Sequence, residues 1–167
     1  MKKIPFKKTV KELFIDYLVI LLYLAVLLVL NLIYIKFILG RMPEYTELQS
    51  QLIATFTSVI PVILIFSYLD SKGGSIGKRK ARLELVFRGD KKKSSIIRNI
   101  IKFLPWQLGH LGVIHGVYHN FNTASLIIMN LGTVLGFILV VMRLFRKDGK
   151  HLGDLIGKTQ VQNSLIK

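Results

Sequence analysis

The chain has 167 residues with 24 Lys and Arg against 9 Asp and Glu, a formal charge of +15, and 51% apolar residues. This excludes a disordered basic tail, which needs low hydrophobicity, and a soluble basic nucleic-acid module, which carries no apolar runs of about 20 residues. Charged and apolar residues must instead be sorted into separate blocks, within one membrane domain of a few spans. Cysteine is absent, so disulfides, thiolate metal sites and a Cys nucleophile are excluded.

The first apolar block, Leu13 to Ile35, makes roughly 34 Å of helix at about 1.5 Å per residue, enough to span a bilayer with slight tilt. Lys2, Lys3, Lys7, Lys8 and Lys11 precede it like the basic region of a signal peptide. The apolar run is too long for such a peptide, and no small-x-small cleavage site follows, so it reads as a retained anchor. A second block, Leu52 to Leu69, carries Pro61, which removes one helix hydrogen bond and predicts a kink tolerated only if a neighbour satisfies the freed carbonyl. A third, Phe103 to Tyr118, is short and contains Pro105, His110 and His115. The fourth, Ala124 to Met142, has 19 residues without a charge.

Lys and Arg close to a span are held on the cytoplasmic side. Of the 24 basic residues, 22 fall in the N-terminus to Glu12, in Asp70 to Lys102, and in the tail from Arg143, whereas Gly40 to Gln51 holds only Arg41. Placing all three basic segments inside requires an even number of crossings. The expected fold is therefore an all-α integral membrane protein, a four-crossing helical bundle in one domain, with both termini cytoplasmic. It divides into a cytoplasmic N-terminus 1–12, spans 13–36 and 52–69, a cytoplasmic loop with an amphipathic helix 70–102, a third crossing or re-entrant segment 103–118, a fourth span 124–142, and a cytoplasmic tail 143–167. The alternative, an interfacial helix at 103–118 and three spans, puts Arg143, Arg146, Lys147 and Lys150 outside.

Within the cytoplasmic loop, Gly73 to Lys78 looks like a phosphate-binding loop, but three residues instead of four separate Gly73 from Gly77, and Arg79 follows Lys78, which excludes that motif. Ala81, Leu83, Leu85 and Phe87 alternate with Arg82, Glu84, Val86 and Arg88, predicting a short surface strand before the Gly89-Asp90 turn. Ile96, Ile97, Ile100, Ile101 and Leu104 have helical spacing with Arg98 and Lys102 off the stripe, predicting an amphipathic helix that leads into the third crossing. Lys91, Lys92 and Lys93 suit anionic lipid headgroups at about 1 kcal/mol per charge. Nucleic acid is not an expected partner, because no binding module or interleaved aromatics accompany that cluster.

Asp16 lies one turn inside the first apolar run, where a charge needs a partner; the candidates are Arg98, which is favoured, Lys11 and the tail basics, and the alternative is an Asp16 hydrated at the headgroup level. His115 and His119 are four apart and share a helix face. They could bind a divalent metal, yet no carboxylate or cysteine lies nearby in sequence, so no metal is expected and the default is a polar face between helices. Gly112 with Gly116, and Gly132 with Gly136, form two GxxxG patterns that predict close packing of the third and fourth segments, or of a second protomer. Asp154 reads locally as a capping aspartate ahead of Leu155-Ile156, with Gly157 ending the turn. No catalytic motif or cofactor signature is present, and no enzymatic activity is expected.

An aspartate in the first span (Asp16), a GxxxGK loop running into an alternating segment (Gly73 to Val86), Arg98 after the turn, and the tail Asp154-x-x-Gly157-x-Thr159-x-Val161 together resemble the RDD family of bacterial membrane proteins. Asp16 and Asp154 match the two aspartates of the family's name. Thr9 stands where the family places its arginine, and Gly153 where a His is usual. The resemblance implies either transport of an ion or small ligand or, alternatively, a non-transporting partner or regulator of another membrane protein. A transport path would be lined by Asp16, His110, His115 and Asn130. The expected partners are a bilayer with anionic headgroups and a second copy or another membrane protein, and the expected location is the cell membrane.

Overall fold

The computed structural model describes residues 4–164, so Lys2, Lys3 and Lys167 of the basic segments lie outside it. Three helical stretches, Phe6–Leu39, Glu47–Ser71 and Thr123–Phe145, are long and apolar enough to cross a membrane. The first is helix α1 (Phe6–Tyr34), prolonged by a π turn at Ile35–Leu39. The second joins α2 (Glu47–Ala54) to α3 (Ile60–Ser71) through a π turn at Thr55–Val59. Thr46 caps α2 reciprocally with Gln49, satisfying two of the backbone groups that a helix start leaves open.

The helix is irregular just before Pro61, where the π turn Thr55–Val59 runs directly into α3. Proline has no N–H for the carbonyl four residues back, which is that of Thr57. The Tyr23 hydroxyl of α1 donates to the Thr57 oxygen, so a neighbouring helix supplies the missing donor. Around this contact Val62, Phe66 and Phe103 form a buried cluster with Ile20, Tyr23, Ile63 and Trp106. The Phe66 and Phe103 rings meet edge to face at 5.2 Å.

After α3 come the short helix α4 (Ile76–Lys80), strand β1 (Leu83–Phe87), the 28-residue helix α5 (Lys91–Tyr118), helix α6 (Thr123–Phe145), the short helix α7 (Leu152–Ile156) and strand β2 (Thr159–Asn163). The alternating segment is a strand, and its partner comes from the tail: β1 and β2 pair antiparallel with Leu85 opposite Val161. Ala81, Leu83, Leu85 and Val161 bury one face of this ribbon.

The residues from Ser94 are helical and run on without a break into the third segment, as expected. They are the first turns of α5, and they sit the other way round from a surface helix: Ser94, Ser95, Arg98 and Asn99 are buried, whereas Ile96, Ile100 and Leu104 face outward. An apolar stripe turned outward with a polar stripe turned inward is stable where the surroundings are lipid and the interior is polar. α5 and α6 then run antiparallel, joined by the turn after Tyr118. A Cβ on Gly112 would lie 2.8 Å from the Met129 backbone nitrogen, and one on Gly132 would lie 2.9 Å from the Pro105 oxygen. Gly116 makes room for the Phe121 ring, and Gly136 only touches Pro105.

Candidate functional site

One end of the bundle holds a buried ion network drawn from six helices of the chain. Four carboxylates, Glu12, Asp16, Asp70 and Asp154, face four cations, Lys78, Arg98, Lys102 and Arg143. Arg143 pairs with Glu12, which lies 3.3 Å from the Lys78 ammonium. Lys78 reaches Asp70 at 3.1 Å, Asp70 takes the Arg98 guanidinium at 2.6 Å, and Arg98 reaches Asp154 at 2.7 Å. The charges cancel, as they must where water is excluded and each unpaired ion costs several kcal/mol. Asp70 and Lys78 are both 0% exposed.

The glycine-rich loop builds half of this network. Gly73 and Gly74 have φ of 103° and 145°, values open to glycine, and they fold the chain back sharply after α3. Ser75 then caps α4, and its hydroxyl donates to Asp16 at 2.8 Å while the Gly77 N–H donates to the same carboxylate at 2.9 Å. A Cβ at Gly77 would lie 2.3 Å from the Glu12 carbonyl oxygen, so this residue lets α4 touch α1. The GxxxGK pattern therefore cradles a carboxylate of its own chain, with Lys78 as counter-ion.

The tail supplies the other half. His151 caps α7, and Asp154, three residues on, reaches back to the His151 N–H. Asp154 also accepts from Arg98 and from the Thr159 hydroxyl at 2.8 Å. Burial by itself would raise the Asp154 carboxyl, but Arg98, with His151 and Arg143 beyond it, holds it well below the usual carboxylate range. Burial pushes the His151 imidazole down to about 3, against the pull of Asp154 and with the push of Arg98, Lys102 and Arg143. Its Nδ1 lies 3.0 Å from the Gly153 nitrogen, and its Nε2 lies 3.1 Å from the Arg98 guanidinium and 3.3 Å from Asp154. Gly153 lies against α5, where a Cβ would stand 2.7 Å from the Arg98 oxygen; a larger side chain does not fit there.

Asp16 does not pair with Arg98. Its partners are Ser75, Gly77 and, at 3.5 Å, Lys102, while Arg98 is taken by Asp70 and Asp154. The polar path expected from sequence is not assembled either. Asp16 belongs to this network, His110 meets Ser58 at 3.2 Å in mid-bundle, and Asn130 is exposed on α6, bonding its own helix at Leu126. Lys91, Lys92 and Lys93 are exposed at the start of α5. Glu12, Asp70, Lys78, Lys102, Arg143 and His151 were not singled out from sequence. One signal was there: Glu12 and Asp16 are four apart, as are Arg98 and Lys102, so two helices each present a matched pair on one face.

Beside the network a cavity of about 230 Å³ opens between α1, α5 and α6. Leu13, Pro105, Trp106, Gly136 and Leu139 form its apolar wall, and Glu12, Arg98, Lys102, Arg143 and His151 its polar one. Lys102 is the least committed cation there. Among the described residues its single ion pair is the long one to Asp16, and its ammonium otherwise lies over the Phe66 ring at 4.5 Å.

At the other end of the bundle Glu47 bridges two histidines. Its carboxylate lies 2.7 Å from His115 Nδ1 and 3.0 Å from His119 Nε2. Fold and sites together define an α-helical protein with three helices able to cross a membrane, a buried ion network at one end and a Glu/His cluster at the other. Comparison of the chain with family models, with curated proteins and with solved structures gives no significant match.

Proposed function

We propose that this is a four-crossing, RDD-type protein of the cell membrane with both termini in the cytoplasm, and that it passes a small anionic solute by way of the cavity beside Lys102. The fourth crossing is supported by the pairing of α5 with α6. If α6 spans the bilayer, α5 spans it too, because the two helices run antiparallel from the turn after Tyr118 to the level of Arg98 and Arg143. Orientation rests on the three basic segments, which converge at the network end, where positive charge is retained on the cytoplasmic side.

The cavity carries the transport reading. It combines an apolar wall with a polar one on which three cations, Arg98, Lys102 and Arg143, outnumber the single carboxylate of Glu12, and Lys102 is free to exchange its long contact with Asp16 for a bound anion. The other three cations are held by short carboxylate contacts and serve as framework. Purified protein in liposomes, assayed for chloride, nitrate and phosphate uptake, should show flux above protein-free vesicles, and Lys102→Met should abolish it. Absence of flux for every anion, or full flux in the variant, defeats the proposal.

A second reading, as a partner for another membrane protein, rests on α1. Beyond Tyr23 its apolar side chains are largely uncovered, and exposed Asn31 spends its amide on its own helix at Leu27. A side-chain amide at that depth is a ready contact for another helix. Recovery of a stoichiometric membrane protein on mild solubilisation, lost with Asn31→Leu, is the result this reading requires.

A further inference from the structure

We propose that Glu47, His115 and His119 form a binding site for a divalent transition metal of the zinc class, at the end of the bundle opposite the ion network. His115 and His119 project from successive turns at the end of α5, with ring centroids 4.2 Å apart. Glu47 reaches them across 68 residues of sequence from the first turn of α2. One ligand atom from each residue lies within 4.8 Å of the other two. A metal with bonds of about 2.1 Å holds its ligand atoms roughly 3.0–3.4 Å apart at right-angled to tetrahedral spacing. The two carboxylate-to-imidazole separations, 2.7 Å from Oε1 to His115 and 3.0 Å from Oε2 to His119, lie near that range, each imidazole facing its own carboxylate oxygen.

The donor set selects the ion. Two imidazoles and one carboxylate suit zinc, cobalt and nickel, whereas magnesium and calcium prefer oxygen alone. The site is also open, with His119 47% exposed on its side chain, so positions remain for water or an exogenous ligand. That is the pattern of an exchangeable three-ligand site, not of a closed structural one.

The arrangement is held independently of the cluster's own bonds. The Thr46–Gln49 capping box fixes the start of α2 and with it Glu47. The Tyr118 hydroxyl, on the same last turn as the histidines, donates to the Tyr45 oxygen and lies 3.0 Å from the Ser50 hydroxyl, bolting the start of α2 to the end of α5. The open carbonyls at the C-terminal end of α5 add a negative dipole that favours a bound cation. About 17 residues of helix, roughly 26 Å, separate His115 from Arg98, so the site is distinct from the ion network and stands or falls apart from the transport reading.

The test is zinc binding to tag-free, chelator-stripped protein, followed by competition with a chromophoric chelator and by cobalt(II) absorption. The wild type should bind one equivalent. Glu47→Gln, and separately His115→Ala with His119→Ala, should weaken binding by about ten-fold or more and remove the cobalt d–d bands, while elution on size exclusion stays unchanged. Glu47→Gln tests the site without removing a ring, so loss of folding in the double histidine variant does not shelter the proposal. No stoichiometric binding by the wild type, or equal binding by Glu47→Gln, overturns it and leaves the cluster as a proton-bridged tie between α2 and α5.

Discussion

Replacing Arg98 by Met removes the 2.6 Å contact to Asp70 and the 2.7 Å contact to Asp154 while keeping most of the side-chain volume. The two carboxylates fare differently. Asp70 keeps Lys78 at 3.1 Å and the Asn99 amide at 3.0 Å, so its charge remains compensated. Asp154 keeps the Thr159 hydroxyl, the His151 backbone N–H and a neutral imidazole, and becomes a buried anion without a paired cation. Breaking a buried pair in this way costs about 3–5 kcal/mol. For a chain of this length that is roughly 6–20 °C in melting temperature, at about 2–4 °C per kcal/mol. Thermal melts in detergent followed by size exclusion measure it. The origin of the loss is separable, because Arg98→Met combined with Asp154→Asn removes the stranded charge and should recover about half of the lost stability or more. If the single variant melts within about 2 °C of the wild type, or the double variant is no more stable than the single, the ion network is not what holds this end of the bundle together.

Two further outcomes follow from particular atoms. His151 binds a proton in the unfolded chain near its usual pKa of 6.5 and in the folded one only at about 3, so folding is opposed by protonation. Stability should be full above about pH 6.5 and fall by about 1.4 kcal/mol per pH unit on the way down to about 3; His151→Gln should flatten that slope in pH-dependent melts, and an unchanged slope places the titration elsewhere. Gly109 and Gly132 test helix packing against each other. A Cβ on Gly109 meets open space, so Gly109→Ala should be neutral or stabilise by about 0.5–1 kcal/mol, whereas Gly132→Ala presses on the Pro105 carbonyl and should cost about 1–3 kcal/mol. Equal melting temperatures for the two would mean that α5 and α6 do not approach closely at Gly132.

The sequence by itself determined the three helices long and apolar enough to cross a membrane and the strand at β1. Both depend on composition and periodicity along a local stretch, which folding does not rearrange. Asp16 stood out for the same reason, since a charge inside an apolar run is visible without a partner. Its partner is not visible, because a charge pattern in sequence carries no distances. Only the tertiary structure decided that Asp70 and Asp154 take Arg98, leaving Asp16 to the loop from Ser75 to Gly77 and to Lys102. Nor does sequence spacing show that Glu47 lies against His115 and His119, that tail strand β2 pairs with β1, or that the stripe of isoleucines on α5 faces out while its arginine faces in. Each of these joins residues 28 or more apart. A contact of that kind is fixed by which helix faces close on one another, and in lipid that choice is made by the need to pair every buried charge and polar group within the protein itself.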